Sequence, residues 1–210
     1  MSGGSALSDN TLALLALEPK TEGIREYQWT APMFYRALDA GAFGLWPKVE
    51  LVRGRLIEHP GQTPPHAYTA GHLADCLRDA LNPAFRVREH RPIALAEDTH
   101  ADTDVLVIIG RRFVYAQRHP GPDDTLLLVE VSDLTADYDL GDKALLYAQA
   151  GINDYWVVLV NDASLVRHRQ PTPEGYAEVT RLAGANTISP LAAPEAVWTV
   201  DALLGREEEK

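Results

Sequence analysis

Short unbroken apolar runs alternate along the chain with segments of helical spacing. "TDVLVIIG" (Thr103–Gly110), "TLLLVEVS" (Thr125–Ser132) and "NDYWVVLVND" (Asn153–Asp162) are apolar and rich in β-branched residues. That pattern predicts strands covered on both faces. "KVELVRGRLIEHP" predicts two strands joined at Arg53-Gly54, a hairpin turn supplied by the glycine. "AFRVREHRPIAL" is extended, and "SLVRHRQPTPEGYAEVTRL" alternates like an antiparallel pair. Three segments predict helices. "TAPMFYRALDAGAFG" has Thr30 as N-cap and Gly44 as stop, and "HAYTAGHLADCLRDAL" places Leu73, Leu77 and Leu81 on one side. "YDLGDKALLYAQAG" reads as one helix with Gly151 just past its end. The order is helix, hairpin, helix, several strands, helix, strands. It predicts a mixed α/β (α+β) domain, with one central mixed sheet flanked by helices.

Length and composition narrow this picture. The chain has 210 residues, which suggests one domain, here 27–204. Residues 1–26, with the apolar stretch "LALLAL", read as a partly flexible extension, and 205–210 as a charged, frayed tail. No run of about 18 apolar residues predicts a membrane span. The N-terminus lacks the basic region of a signal peptide, and Cys76 is the sole cysteine, so a cytoplasmic location is expected and an intramolecular disulfide is excluded. The net charge of −11 argues against tight nonspecific tracking of nucleic acid, whose affinity comes from neutralising phosphates. One basic cluster, "GRRFVYAQRH" (Gly110–His119), reads equally well as a solvated loop.

The chemistry starts from Glu130, a carboxylate in the middle of "LLLVEVS". An unpaired buried carboxylate is costly enough that it must find a cation, shift its pKa or escape burial. Asp104 opens the preceding strand, and consecutive strands usually pair, so two carboxylates are expected side by side. Such a pair suits a divalent cation. In the following helix Asp139, Lys143 and Tyr147 recur at i,i+4 on one face, which would bring the Lys143 ammonium toward Glu130. Ser132 shares the Glu130 face of the strand. Plainer readings stand beside these. Glu130 and Lys143 would make a structural ion pair, Lys143 and Asp139 an exposed helix pair, and Tyr147 and Trp156 ordinary core aromatics. His66 and His72 are six apart and do not share a helix face, so no metal pair is expected from them. Cys76 reads as a small apolar residue.

"LLLVEVSDLTADYDLGDKALLYAQAGINDYW" closely resembles the signature of the Uma-two family of restriction endonuclease-like proteins, in the PD-(D/E)XK nuclease superfamily. The resemblance extends upstream through "VELVRGRLIE", "HAYTAGHLADCL" with its leading His66, "HRPIAL" and "TDVLVI", and covers roughly residues 27–200. It implies an αβββαβ-type restriction-endonuclease-like core, a Mg²⁺ site and phosphodiester hydrolysis. By resemblance, Asp104 and Glu130 are the metal-binding carboxylates, with Mn²⁺ as a substitute ion. Glu50 is an additional acidic residue, and Lys143 is the catalytic lysine, moved from the strand to the helix. Ser132 stands two residues after Glu130, so the textual ExK motif is absent. Thr103 replaces a typical proline. His90 replaces a common glutamine, which weakens an active-site role for that strand position.

The expectation is therefore a metal-dependent endonuclease acting on DNA, with Glu50, Asp104, Glu130 and Lys143 as its catalytic residues. A homodimer would supply one site per DNA strand. Two alternatives remain open at this point: a catalytically silent nuclease fold used as an interaction module, and a hydrolase of a smaller phosphoester.

Overall fold

The computed structural model describes residues 25–44, 49–110 and 112–206. The "LALLAL" stretch, with the rest of 1–24, and 207–210 of the charged tail lie outside the described residues, as does Arg111 of the basic cluster.

Strands β1 (Val49–Val52) and β2 (Arg55–Glu58) form the expected hairpin, with Val52 opposite Arg55. Arg53 and Gly54 both have positive φ, 50° and 72°, as a two-residue loop needs if its twist is to match the strands. Helix α1 (Ala31–Asp39) follows Thr30, which holds the N-cap position without a side-chain cap bond, and the chain turns at Gly41 (φ 71°), before the expected stop at Gly44. Helix α2 (Pro64–Ala80) starts one turn-half earlier than its apolar spacing shows, because Thr63 caps it by accepting the His66 N–H. Prolines are tolerated in that first turn, where no N–H is needed.

A long hairpin of β3 (Phe85–Ala96) and β4 (Thr99–Ile109) leads to β5 (Thr125–Ser132). Then come α3 (Ala136–Leu140), α4 (Asp142–Gln149) and β6 (Asp154–Leu159), which lies parallel to β5. The single helix expected here is two, broken at Gly141. A Cβ at that position would lie 2.8 Å from the Asp137 carbonyl oxygen, so the close approach excludes a side chain. Strands β7 (Ser164–Thr172) and β8 (Gly175–Ala183) complete an eight-stranded sheet in the order β2-β1-β4-β5-β6-β7-β8, with β3 also on β4. A small pair, β9 (Thr187–Ile188) and β10 (Trp198–Thr199), precedes the short α5 (Val200–Leu203).

The sheet is covered on both faces. Leu73 and Leu77 of α2 and Val200 and Leu203 of α5 pack on Val105, Val129, Val131, Trp156 and Val158. Ala144 and Tyr147 of α4 pack on the opposite face against Leu106, Leu128, Tyr155 and Val157. Double coverage is why β5 and β6 lack an alternating pattern: every residue of β6 is buried, and so are the last six of β5. Phe34 of α1 and Leu51 of β1 form a smaller cluster at the hairpin end.

Candidate active site

The sheet is split along one edge of β4. His100 pairs with Ala94 of β3 on one side and Leu51 of β1 on the other. Val105 pairs with Glu89 of β3 and, on the other side, Val129 of β5. Strands β1 and β5 therefore share the same edge of β4, and among the described residues its positions 101–104 have no strand partner there. Carboxylates close the gap. Asp104 Oδ2 accepts the Val131 N–H at 2.8 Å, and Glu130 Oε2 accepts the Asp104 N–H at 3.3 Å. Side chains thus make the cross-strand bonds that the diverging backbones do not.

Lys143, in the first turn of α4, reaches into this gap. Its Nζ donates to Glu130 Oε1 at 3.0 Å and to the Asp102 carbonyl at 3.3 Å, and lies 3.2 Å from Glu50 Oε1. Tyr147, one turn later, donates its hydroxyl to Glu130 Oε1 at 2.7 Å. All four residues singled out in the sequence, Glu50, Asp104, Glu130 and Lys143, line one cavity of about 80 Å³. Asp139 does not pair with Lys143. It is buried, and accepts from the Ser132 and Thr135 hydroxyls at 2.6 Å each. The break at Gly141 separates the two residues, so the i,i+4 spacing does not put them in contact. Tyr147 is a core aromatic as expected, and also a hydrogen-bond partner of Glu130.

Three histidines join the cavity. His59 Nε2 faces Glu50 Oε2 at 3.2 Å. His66 Nε2 is 3.1 Å from Asp104 Oδ1, and His90 Nδ1 is 3.5 Å from the same oxygen. His90 therefore stands beside the site despite its departure from the family pattern. The sequence gives no spacing that groups these residues, since they come from a loop, a helix start and a strand. The one local clue is a histidine in the first turn of a helix that follows a Pro/Gly loop. His72 is directed elsewhere, 2.7 Å from the Ala202 carbonyl, so His66 and His72 are not a pair.

A model of the Uma2 family, described as "Putative restriction endonuclease", matches residues 33–202. The chain belongs to this family. Among solved structures, a "putative nuclease belonging to DUF820" from Anabaena variabilis is similar in fold, with a TM-score of 0.65 at 12% identity. The match covers 84% of this chain and 98% of that one. No curated protein matches the chain.

The charges in this Uma2 site do not balance. Among the described residues, Glu50, Asp102, Asp104, Glu130, Asp133 and Asp139 line the cavity, against Lys143 and the three histidines. Burial pushes Glu130 well above the usual carboxylate range, and Asp104, Asp139 and Glu50 add to this against the pull of Lys143. For Lys143 burial favours the neutral amine, but Glu130 and Glu50 outweigh it and hold the ammonium charged. Burial opposes ionisation of Glu50 too, and there Lys143 and His59 prevail and lower it. Asp104 is lowered despite burial, chiefly by hydrogen bonds from His66 and His90. One ammonium cannot neutralise three enclosed carboxylates, so Glu130 either carries a proton or needs a second cation. Glu50 Oε2 and His59 Nε2 are both enclosed and face each other at 3.2 Å. Asp104 and Glu130 offer hard oxygen donors beside room for water, which fits Mg²⁺.

Proposed function

We propose that this cavity is the active site of a metal-dependent DNA endonuclease. The observation that carries the reading is the excess of carboxylates over cations in a cavity at the split of the sheet, in a chain of a restriction endonuclease family. A phosphodiester is itself an anion, and would be repelled from these carboxylates unless a divalent cation came with it.

Asp104 and Glu130 would hold Mg²⁺, or Mn²⁺ in its place. When bound, such an ion polarises a phosphoryl oxygen and makes water a better nucleophile at neutral pH. The chain's own residues do the rest. Lys143 keeps its proton and presents a fixed positive charge where negative charge develops on phosphorus. Glu50 and the Asp102 carbonyl also hold that ammonium in place. Tyr147 and Lys143 both occupy Glu130 Oε1, which leaves Oε2 directed toward Asp104. A homodimer would bring two such sites to the two strands of a duplex.

The test is nicking of supercoiled plasmid in Mg²⁺ or Mn²⁺, beside EDTA and the variants Asp104→Asn, Glu130→Gln and Lys143→Ala. Metal-dependent nicking that all three variants lose is the expected result. Equal nicking by the variants would refute the site. No nicking by folded protein in any metal would leave an interaction module as the better reading.

A further inference from the structure

We propose that His66, His90 and Asp104 form a transition-metal site, filled by a borderline ion such as Zn²⁺ or Co²⁺ in preference to Mg²⁺. It shares Asp104 with the proposed nuclease site, but it rests on the placement of two imidazoles rather than on that reading.

The three side chains come from different elements, α2, β3 and β4. Each offers one ligand atom, and all three atoms lie within 4.8 Å of one another. Asp104 Oδ1 is 3.1 Å from His66 Nε2 and 3.5 Å from His90 Nδ1. Ligands bound to one ion at about 2.0–2.2 Å are themselves about 3–3.5 Å apart, so these edges are already those of a coordination polyhedron. The rings of His66 and His90 lie 28° from parallel with centroids 6.3 Å apart.

The backbone at His90 supports a purpose for this placement. His90 is a non-glycine residue with φ 47°, a left-handed conformation that costs energy and persists only when its surroundings hold it. It sits where the β3–β4 register passes from Glu89↔Val105 to Arg91↔Thr103, directly across from Asp104. The turn aims the ring at the carboxylate. Gln62 Nε2 lies 2.8 Å from His90 Nδ1. Gln62 and Asp104 both approach this nitrogen, and the tautomer of the ring decides which of them it bonds. Gln62 belongs to an exposed loop, and its amide would have to leave Nδ1 for an ion to bind there.

The donor set selects the ion. Two imidazoles and one carboxylate suit Zn²⁺ and Co²⁺, whereas Mg²⁺ prefers oxygen and water. Three protein ligands leave a position for water, the arrangement of a reactive zinc site rather than a closed structural one.

The experiment titrates the chelator-stripped full chain with Co²⁺, followed by visible absorption, with Zn²⁺ and Mg²⁺ as competitors in calorimetry. One equivalent of Co²⁺ should develop ligand-field bands, and Zn²⁺ should displace it at concentrations at least about 100-fold below those of Mg²⁺. His66→Gln and His90→Gln should each weaken Co²⁺ binding about tenfold or more while the melting temperature holds. His90 is exposed, so its variant carries the test if His66→Gln fails to fold. Co²⁺ bands unchanged in His90→Gln, or Zn²⁺ no tighter than Mg²⁺, would overturn the proposal. Glu130→Gln separates the two readings, because it should keep the Co²⁺ bands while losing Mg²⁺-dependent nicking. Histidine-dependent bands in a protein that never nicks DNA would support this site and remove the nuclease.

Discussion

Lys143 shows how one side chain can hold a site together. It lies between Glu50 and Glu130, both enclosed, and removing it leaves two buried carboxylates facing each other. Breaking one partner out of such a group typically costs about 3–5 kcal/mol. Lys143→Met should therefore lower the urea midpoint markedly, and Lys143→Met with Glu130→Gln should recover part of the loss, because the second change removes a stranded charge. Recovery failing to appear would mean that Lys143 contributes by packing rather than charge. Tyr147→Phe deletes one donor to Glu130 and should cost about 1–3 kcal/mol, measured in the same way. The Glu130–Lys143 contact could be anticipated in the sequence, since a carboxylate in an apolar strand demands a cation and a lysine follows on the next helix. The contribution of Tyr147 could not, because a buried tyrosine in a helix fits equally well as core.

The break between α3 and α4 decides where Lys143 points. Gly141→Ala would press a methyl group against the Asp137 carbonyl and force the helix start to shift. A loss of about 1–3 kcal/mol is expected, with nicking falling further than stability, since the shift moves Lys143 from Glu130. Activity unchanged in a destabilised variant would show that the break serves folding alone. The turn entering β5 offers a pH test. Arg118 chiefly holds the Asp124 carboxyl down, to about 2, and the Gly121 N–H adds to this. A carboxylate lowered in the folded state stabilises above its unfolded value and loses that contribution as the pH falls through the folded one. Asp124→Asn should thus cost only a little at neutral pH, because so exposed a pair is screened by solvent. The gap between the variant and the parent should close as the pH approaches 2. A gap that persists there would assign the effect to the hydrogen bond with Gly121 rather than to charge.

The whole molecule carries a net charge of −11, and its cleft concentrates that sign. Duplex affinity should therefore depend on divalent cations as well as on monovalent salt. Fluorescence polarisation with a labelled duplex should give binding about tenfold or more tighter in Ca²⁺, an oxygen-seeking ion, than in EDTA. Equal binding in the two buffers would place the DNA contact away from the cleft. Among the described residues no helix is long and apolar enough to cross a membrane.

Local pattern was enough to reveal the strands of the main sheet, the Arg53-Gly54 hairpin, and the acidic and basic residues that belong together in type. Side-chain period and turn chemistry act over a few residues, and a buried charge announces its need for a partner wherever it stands. The family resemblance added Glu50 and the metal and catalytic roles expected of Asp104, Glu130 and Lys143. Folding in space decided what no local pattern encodes. It placed β1 and β5 on one edge of β4, so that a gap opens at Asp104, and it broke one apparent helix at Gly141. It also brought His59, His66 and His90 to the same cavity from separate segments. Their grouping depends on strand pairing across tens of residues, and the sequence carries no spacing that records it.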